Sequence, residues 1–176
     1  MDFEKLQYPI GRFMAPTFVT SSDRAKWLQS IADEPIRLRA ATADLTDEQL
    51  DTPYRPQGWT ARQVVHHLAD AHLNSYIRTR LALTEDHPTV RNFDEKLWAG
   101  LRDAKSAPIG MSLDLLDALH KRWAALLRPL SAEQWRRGYF NPESGDILLE
   151  VVLAHYAWHG RHHAAHITSL REREGW

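Results

Sequence analysis

The feature of this sequence that most constrains its fold is a run of histidines at helical spacing near the C-terminus. Five histidines fall within the twelve residues from His155 to His166, mostly three or four positions apart. At about 100° per residue they lie within one stripe roughly 100° wide, which Val152 and Leu170 also share. The pattern predicts a long helix whose core-facing stripe is polar in its middle. The five are His155, His159, His162, His163 and His166.

The ring nitrogens on such a stripe need partners. Burying a neutral imidazole without a hydrogen bond costs on the order of 1–3 kcal/mol. Three more histidines, His66, His67 and His72, stand close together earlier in the chain, so eight of the ten histidines lie in two short segments. A divalent cation held between these segments would satisfy several rings at once. We therefore expect a metal site.

Composition limits both the kind of protein and the kind of site. The 176 residues contain no internal break rich in Gly, Ser or Pro, which predicts a single domain over residues 1–176. There is no cysteine, so any metal must be bound by nitrogen and oxygen. The 22 Lys plus Arg and 23 Asp plus Glu are interspersed, which argues against nucleic acid as a partner. No stretch approaches the ~18 apolar residues of a membrane helix, so we expect no membrane contact and a cytoplasmic location.

Two helices are predicted in the first half. The first begins at Ser22 or Asp23 and contains Pro35, where a kink is expected. The second follows a capping box, in which Thr60 and Gln63 satisfy free N–H groups at the helix start, and runs to about residue 83.

Two further helices are predicted in the second half. The third runs from Ser112 to the residues before Pro129, and the fourth from about Asp146 to Arg173, with Gly175 as its stop. Signals for β-strands are weak throughout, which favours the all-α class.

A short internal repeat indicates how these helices are connected. Residues 45–50 (LTDEQL) precede the second helix and residues 130–135 (LSAEQW) precede the fourth, each as a short helical turn. The segment 84–110, with a short helix expected around Glu95 to Leu101, is long enough to cross the bundle between helices 2 and 3. We predict a four-helix bundle, up-down-down-up, in which this crossover forms a pocket lid or a dimer contact.

The spacing of the histidines leaves several ligand sets open. Residues four apart on a helix share one face, so two imidazoles can bind one ion with bonds near 2.0–2.1 Å. Three such pairs qualify, and any of three histidines in the other segment could supply the third ligand. Three histidines leave a position open for water or substrate, which is typical of catalytic zinc. The pairs are His155/His159, His159/His163 and His162/His166; the third-ligand candidates are His66, His67 and His72.

Other kinds of metal site fit the sequence less well. The His-Glu-x-x-His motif of zinc proteases is absent. A structural ion would need a fourth ligand, and haem needs only one or two axial histidines. A non-catalytic metal-binding protein remains an alternative. No catalytic residue is assigned; the candidates for moving a proton are Asp70, which could instead orient a ligand, and the non-ligand His66 or His162.

Longer motifs resemble a known family over nearly the whole chain. The sequence resembles the YfiT-type branch of the DinB-like superfamily, although residues 144–149 carry no family motif. The matching motifs are YPIG at 8–11, LDTPYR at 50–55, GWT at 58–60, RQVVHHLAD at 62–70, NSY at 74–76, LTE at 83–85, DEK at 94–96, RW at 122–123 and, over 158–168, WH, a single H and AHIT.

The resemblance implies a fold, a ligand set and an activity. Members are metal-binding four-helix bundles with three histidine ligands, described as metal-dependent hydrolases, cytoplasmic and often homodimeric. The matching positions here are His67, His159 and His163, which would hold one divalent transition metal per chain, zinc or nickel. Spacing alone does not choose His67 over His66.

The implied chemistry leaves two enzyme classes open. In the first, metal-activated water hydrolyses a small-molecule substrate. In the second, the protein is a metal-dependent thiol S-transferase, as a related set of DinB-like proteins is, and the metal activates bacillithiol or a similar low-molecular-weight thiol. The absence of protein cysteine suits the second class, because no side-chain thiol would compete for the metal. In either case Trp59 and Trp158 are expected in the core or the pocket wall.

Overall fold

The computed structural model describes residues 3–176 and shows four long helices that pack as a bundle. The long helices are α2, α4, α7 and α9, and a two-stranded antiparallel hairpin precedes the last. In chain order the elements are α1 Phe3–Gln7, α2 Ser21–Thr42, α3 Asp47–Leu50, α4 Ala61–Thr84, α5 Glu95–Ala99, α6 Arg102–Ser106, α7 Gly110–Leu127, α8 Ala132–Trp135, β1 Gly138–Asn141, β2 Gly145–Leu148 and α9 Leu149–Glu174.

Contacts between α2 and α9 show that the first and last long helices run parallel. Near their starts, Arg24 forms an ion pair with Glu150 at 3.2 Å. Near their ends, Arg171 donates to the Ala41 carbonyl at 3.1 Å. These two helices form the most extensive packing interface of the bundle.

Helices α4 and α7 form the second parallel pair, and both run opposite to the first. His66 contacts Ser112 near the two starts, and His72 contacts His120 further along. Against α9, however, the later His72 contacts the earlier His159, so α4 and α9 are antiparallel. The predicted up-down-down-up bundle is therefore confirmed, with residues 85–109 as the crossover.

Capping chemistry explains most helix starts. Thr60 accepts a hydrogen bond from the Gln63 N–H and its own N–H donates to the Gln63 side chain, as predicted. Thr46 and Ser131 begin α3 and α8 with the same reciprocal bonds, so the sequence repeat is a structural repeat. The predicted start of α2 was wrong by two to three residues, because the cap is Thr20 rather than Ser22 or Asp23, and the Thr20 hydroxyl accepts from the Asp23 N–H.

The predicted start of the fourth helix was also wrong. Asp146 lies in β2, opposite Phe140 in β1, and α9 begins only at Leu149. Gly145 makes the turn possible with a φ of +77°, and Gly138 lets the strands approach, since a Cβ there would lie 2.3 Å from the Ile147 carbonyl oxygen. The third helix likewise begins at Gly110 rather than Ser112.

A glycine in α9 brings α2 close to that helix. A Cβ at Gly160 would lie 2.3 Å from Cδ of Glu34, whose side chain is 1% exposed. Burial raises the pKa of Glu34 to about 7, against the opposing effect of its ion-pair partner Arg37. One carboxylate oxygen of Glu34 has no hydrogen-bond partner within the described part of the chain.

The apolar core is divided into two clusters with a polar layer between them. On α9, Leu149 and Leu153 belong to one cluster, whereas Ile167 and Leu170 belong to the other. The buried histidines of α9 stand between these two ends. The middle of the bundle is therefore a histidine layer. In the described residues, no helix combines the length and the apolar character needed to cross a membrane.

Candidate metal centre

Three histidines converge in this layer, one from α4 and two from α9. Nitrogen atoms of His67, His159 and His163 all lie within 4.8 Å of one another. His67 Nε2 and His159 Nε2 are 3.4 Å apart. The side chains are buried, with exposed fractions of 3%, 8% and 7%. The structure thus brings together the three residues that the family resemblance indicated, and we refer to them as the metal trio.

The protonation states of the three rings in the metal trio suit the binding of a cation. Burial lowers the pKa of His67 to about 4, and burial with neighbouring histidines holds the pKa values of His159 and His163 well below the usual range. All three rings are therefore neutral at pH 7 and keep a free lone pair. A tetrahedral ion with bonds of about 2.0–2.1 Å separates its ligand atoms by about 3.4 Å, the spacing of the two Nε2 atoms. The residues present fit a divalent transition ion.

The other two third-ligand candidates lie outside the trio. One ring nitrogen of His66 contacts Ser112 Oγ in α7 at 2.7 Å, and the other contacts the carbonyl of Ala107, directly after α6, at 3.2 Å. His72 stands behind His159, with its Nε2 3.1 Å from His159 Nδ1. Of the three histidines of α4, His67 is therefore the one that belongs to the metal trio.

Asp70 does not have the orienting role considered from the sequence. Burial and the charge of Asp103 raise its pKa to about 6. Its carboxylate contacts no histidine among the described hydrogen bonds, and it does not line the cavity described below.

A second group of histidines overlaps the first. Nitrogen atoms of His162, His163 and His166 also lie within 4.8 Å of one another. His166 Nε2 is 3.1 Å from the Gln7 carbonyl, which can only accept, so the proton of this ring is on Nε2. His166 Nδ1, 3.3 Å from His163 Nδ1, then accepts from it, and the His163 lone pair is left on Nε2. We call this group the hydrogen-bonded trio after the bond between His163 and His166; His162 Nδ1 has no hydrogen-bond partner among the described residues.

A cavity of about 680 Å³ opens directly onto the metal trio. Its volume is in the range of small-molecule sites. The N-terminal segment, the loop before α4, the crossover helix α5 and α9 contribute its walls. Trp59 packs against His67 at 4.7 Å between ring centroids, and Trp158 stacks on His162 at 4.4 Å. Besides histidines, the lining residues are Gln7, Tyr8, Tyr54, Arg55, Gln57, Gly58, Trp59, Glu95, Lys96 and Trp158.

Glu95 is a residue of the cavity wall that sequence reasoning missed. It begins α5, whose N-terminus is capped by Asp94 accepting from the N–H groups of Lys96 and Leu97. Glu95 is exposed, but partial desolvation raises its pKa, a shift that Lys96 opposes and Asp94 increases. A short helix was predicted here and the DEK motif at 94–96 matches the family, which is the signal that could have found Glu95, but no role was assigned to it.

Comparison with known proteins agrees with this geometry. A family model described as the DinB superfamily matches residues 31–167. The chain belongs to the DinB superfamily. It is 50% identical to the Bacillus subtilis protein named "Putative metal-dependent hydrolase YfiT" over 97% of each chain. It is 52% identical to "Putative metal-dependent hydrolase BCB4264_A2719" of Bacillus cereus, over 97% of this chain and 98% of the relative.

A solved structure matches the whole bundle. YfiT from Bacillus subtilis, described as "a probable metal-dependent hydrolase with an unusual four-helix bundle topology", superposes with a TM-score of 0.95. The match covers 98% of this chain and 99% of that one. This DinB-superfamily chain therefore has the four-helix bundle fold of YfiT.

Proposed function

We propose that this protein is a metal-dependent hydrolase of small molecules whose ion, zinc or nickel, is held by His67, His159 and His163. One observation carries the proposal: three buried, neutral imidazoles converge at the floor of an open cavity. The names of relatives about 50% identical to this chain agree with it. When bound, such an ion supplies Lewis acidity and lowers the pKa of coordinated water.

The cavity walls provide the remaining parts of a hydrolytic site. Glu95 has a raised pKa, which suits a carboxylate that accepts a proton from the attacking water and returns it to the leaving group. Trp59 and Trp158 give flat apolar surfaces against which a substrate can be held. Arg55 and Lys96 also line the cavity. In the described part of the chain neither forms a salt bridge, so both can neutralise negative charge on the substrate.

The first test is metal content followed by activity. The wild-type protein, purified without a nickel column, should contain about one zinc or nickel ion per chain, and the His159→Ala variant should contain none. The metal-loaded protein should hydrolyse members of a panel of activated esters and amides, and Glu95→Gln should lower kcat while leaving the metal content unchanged. Stoichiometric metal with no hydrolysis by any member of the panel would contradict the hydrolase assignment.

The same assay distinguishes the hydrolase from the alternative, a thiol S-transferase. The chain has no cysteine, so a small thiol would meet no competing side-chain thiolate at the ion. A hydrolase turns over without added thiol, whereas a transferase requires it. Turnover that appears only with a small thiol such as bacillithiol would replace the hydrolase proposal with this alternative.

A further inference from the structure

Behind the metal trio, histidines form a continuous chain of ring contacts that ends in α2. His159 Nδ1 lies 3.1 Å from His72 Nε2, and His72 Nδ1 lies 2.8 Å from His120 Nε2. His120 Nδ1 in turn lies 2.6 Å from the Ile31 carbonyl oxygen. His72 and His120 are 0% and 1% exposed, so these two rings of the chain are closed to solvent. It crosses the bundle from α9 through α4 and α7 to α2.

The α2 end of this chain fixes the direction of its hydrogen bonds. A carbonyl oxygen only accepts, so His120 carries its proton on Nδ1. The Ile31 carbonyl is available because the residue four positions later is Pro35, which has no N–H to complete the helical bond. Pro35 thus leaves free the carbonyl oxygen to which the chain of histidines is hydrogen-bonded.

The tautomers of the other rings follow in turn. A neutral imidazole has one donor and one acceptor nitrogen. His72 and His120 are both buried and neither contacts a carboxylate among the described hydrogen bonds and ion pairs, so both rings are neutral. His120 Nε2 therefore accepts from His72 Nδ1–H, and His72 Nε2 accepts from His159 Nδ1–H. The lone pair of His159 is left on Nε2, the atom 3.4 Å from His67 Nε2.

We propose that His72 and His120 are positioning residues for the metal, which hold His159 in the tautomer whose Nε2 binds the ion. The inference rests on the metal site of the proposed function. Partners that orient metal-binding histidines fix the ring and raise its basicity, and their loss typically costs on the order of 10–100-fold in metal affinity. His72 contacts the ligand itself, so its replacement should have the larger effect.

Zinc affinity of matched variants tests this role. Metal-free protein is titrated with Zn²⁺ in competition with a coloured chelator. His72→Leu removes both ring nitrogens and should weaken binding on the order of 10–100-fold. His72→Gln offers an oxygen to His159 and an N–H to His120, and should recover most of that loss. His66→Leu is the control, since His66 is buried on the same helix but bonded to Ser112 and Ala107, and it should bind zinc as the wild type does.

Two results of the zinc titration would overturn the proposal. Wild-type affinity in a folded His72→Leu protein, or a His72→Gln protein as weak as His72→Leu, would remove the positioning role. Because His72 is fully buried, its variants could fail to fold, and a second measurement uses the wild type alone. In long-range ¹H–¹⁵N spectra of the metal-free protein, His72, His120 and His159 should each carry the proton on Nδ1.

The spectra also separate this inference from the proposed function. A proton on Nε2 of any of the three rings would overturn the positioning role alone. A wild-type protein that binds no zinc would overturn the metal site, and the positioning role with it.

Discussion

The metal trio and the hydrogen-bonded trio have similar spacing but different surroundings. Each places nitrogen atoms of three buried rings within 4.8 Å, and His163 belongs to both. In the metal trio, His67 and His159 direct Nε2 atoms toward each other at the floor of the cavity. In the hydrogen-bonded trio, His166 is already bonded to the Gln7 carbonyl and to His163.

The difference shows that proximity of histidines does not by itself make a metal site. A neutral ring has one lone pair, and a ring that donates to a backbone carbonyl uses its other nitrogen as an acceptor. His166 uses that acceptor on His163 Nδ1, which leaves the His163 lone pair for the metal trio. Hydrogen bonding therefore assigns the shared histidine to one of the two trios.

The largest expected difference between the trios is in metal content. His67→Ala, His159→Ala or His163→Ala should each abolish metal binding, because two remaining imidazoles hold the ion far more weakly. Elemental analysis of the purified variants, after a zinc reload and desalting, measures this effect. The exposed His87→Ala is the control and should keep about one ion per chain.

A variant in the hydrogen-bonded trio, His162→Ala, tests the same difference in metal content. It should retain the metal, since His162 belongs only to the hydrogen-bonded trio. Retained stoichiometric metal in His67→Ala, or its loss in His162→Ala, would reverse the assignment of the two trios.

Acid should destabilise the metal-free protein by several kcal/mol between about pH 6.5 and pH 4. Burial lowers the pKa of His67, His155 and His162 to about 4 and that of His166 to about 3. The unfolded chain takes up protons near pH 6.5 and the folded chain only near pH 4 or below, so stability is full above pH 6.5 and falls on acidification. Each shift to about 4 is worth roughly 3 kcal/mol at most.

Glu34 acts in the opposite direction on this acid transition. Its pKa is raised to about 7, so folding with this carboxyl becomes more favourable as pH falls below 7. More histidines than carboxyl groups are involved, so the histidines should determine the sign of the change in stability with pH. Urea unfolding at pH 7, 5.5 and 4, with and without Zn²⁺, measures the effect. Zinc should add stability at pH 7 and none at pH 4, and a metal-free protein equally stable at pH 7 and pH 4 would contradict the burial argument.

Much of the bundle could be predicted from sequence because its signals are local. Helical periodicity, the capping box at Thr60 and the stop at Gly175 each depend on neighbouring residues. The β-hairpin was missed because its strands are four residues each and depend on close approach at Gly138.

The candidate site was predictable only in part. Spacing indicated pairs on α9, but the choice of His67 over His66 depends on which ring of α4 faces α9, and that came from family resemblance. The chain through His72 and His120 depends on a carbonyl freed by Pro35 in a third helix. Glu95 reaches the cavity through the path of the crossover. Such long-range placements leave no local pattern in the sequence.

Gly160→Ala should destabilise the fold by up to about 2 kcal/mol while leaving metal binding unchanged. Gly160 lies next to the ligand His159 in sequence, but a Cβ at this position would point at Glu34 of α2 rather than at either trio. The new Cβ must displace a buried, ion-paired carboxylate, a cost of roughly 1–3 kcal/mol that exceeds the gain of about 1 kcal/mol in helix propensity. Thermal unfolding measures the loss, and the double variant Gly160→Ala/Glu34→Ala should recover part of it. An unchanged Tm in the single variant would mean that moving the Glu34 side chain costs no more than the gain in helix propensity.

The smallest expected effect comes from the bond that links the two trios. His166→Leu removes the acceptor for His163 Nδ1–H but keeps all three metal ligands, so zinc should still bind at one ion per chain with an affinity about tenfold lower. His166→Gln, whose side-chain oxygen can accept from His163, should lie between the wild type and His166→Leu in the same chelator competition. Complete loss of zinc in His166→Leu would show that this ring is itself a ligand, and the boundary drawn between the two trios would then be wrong.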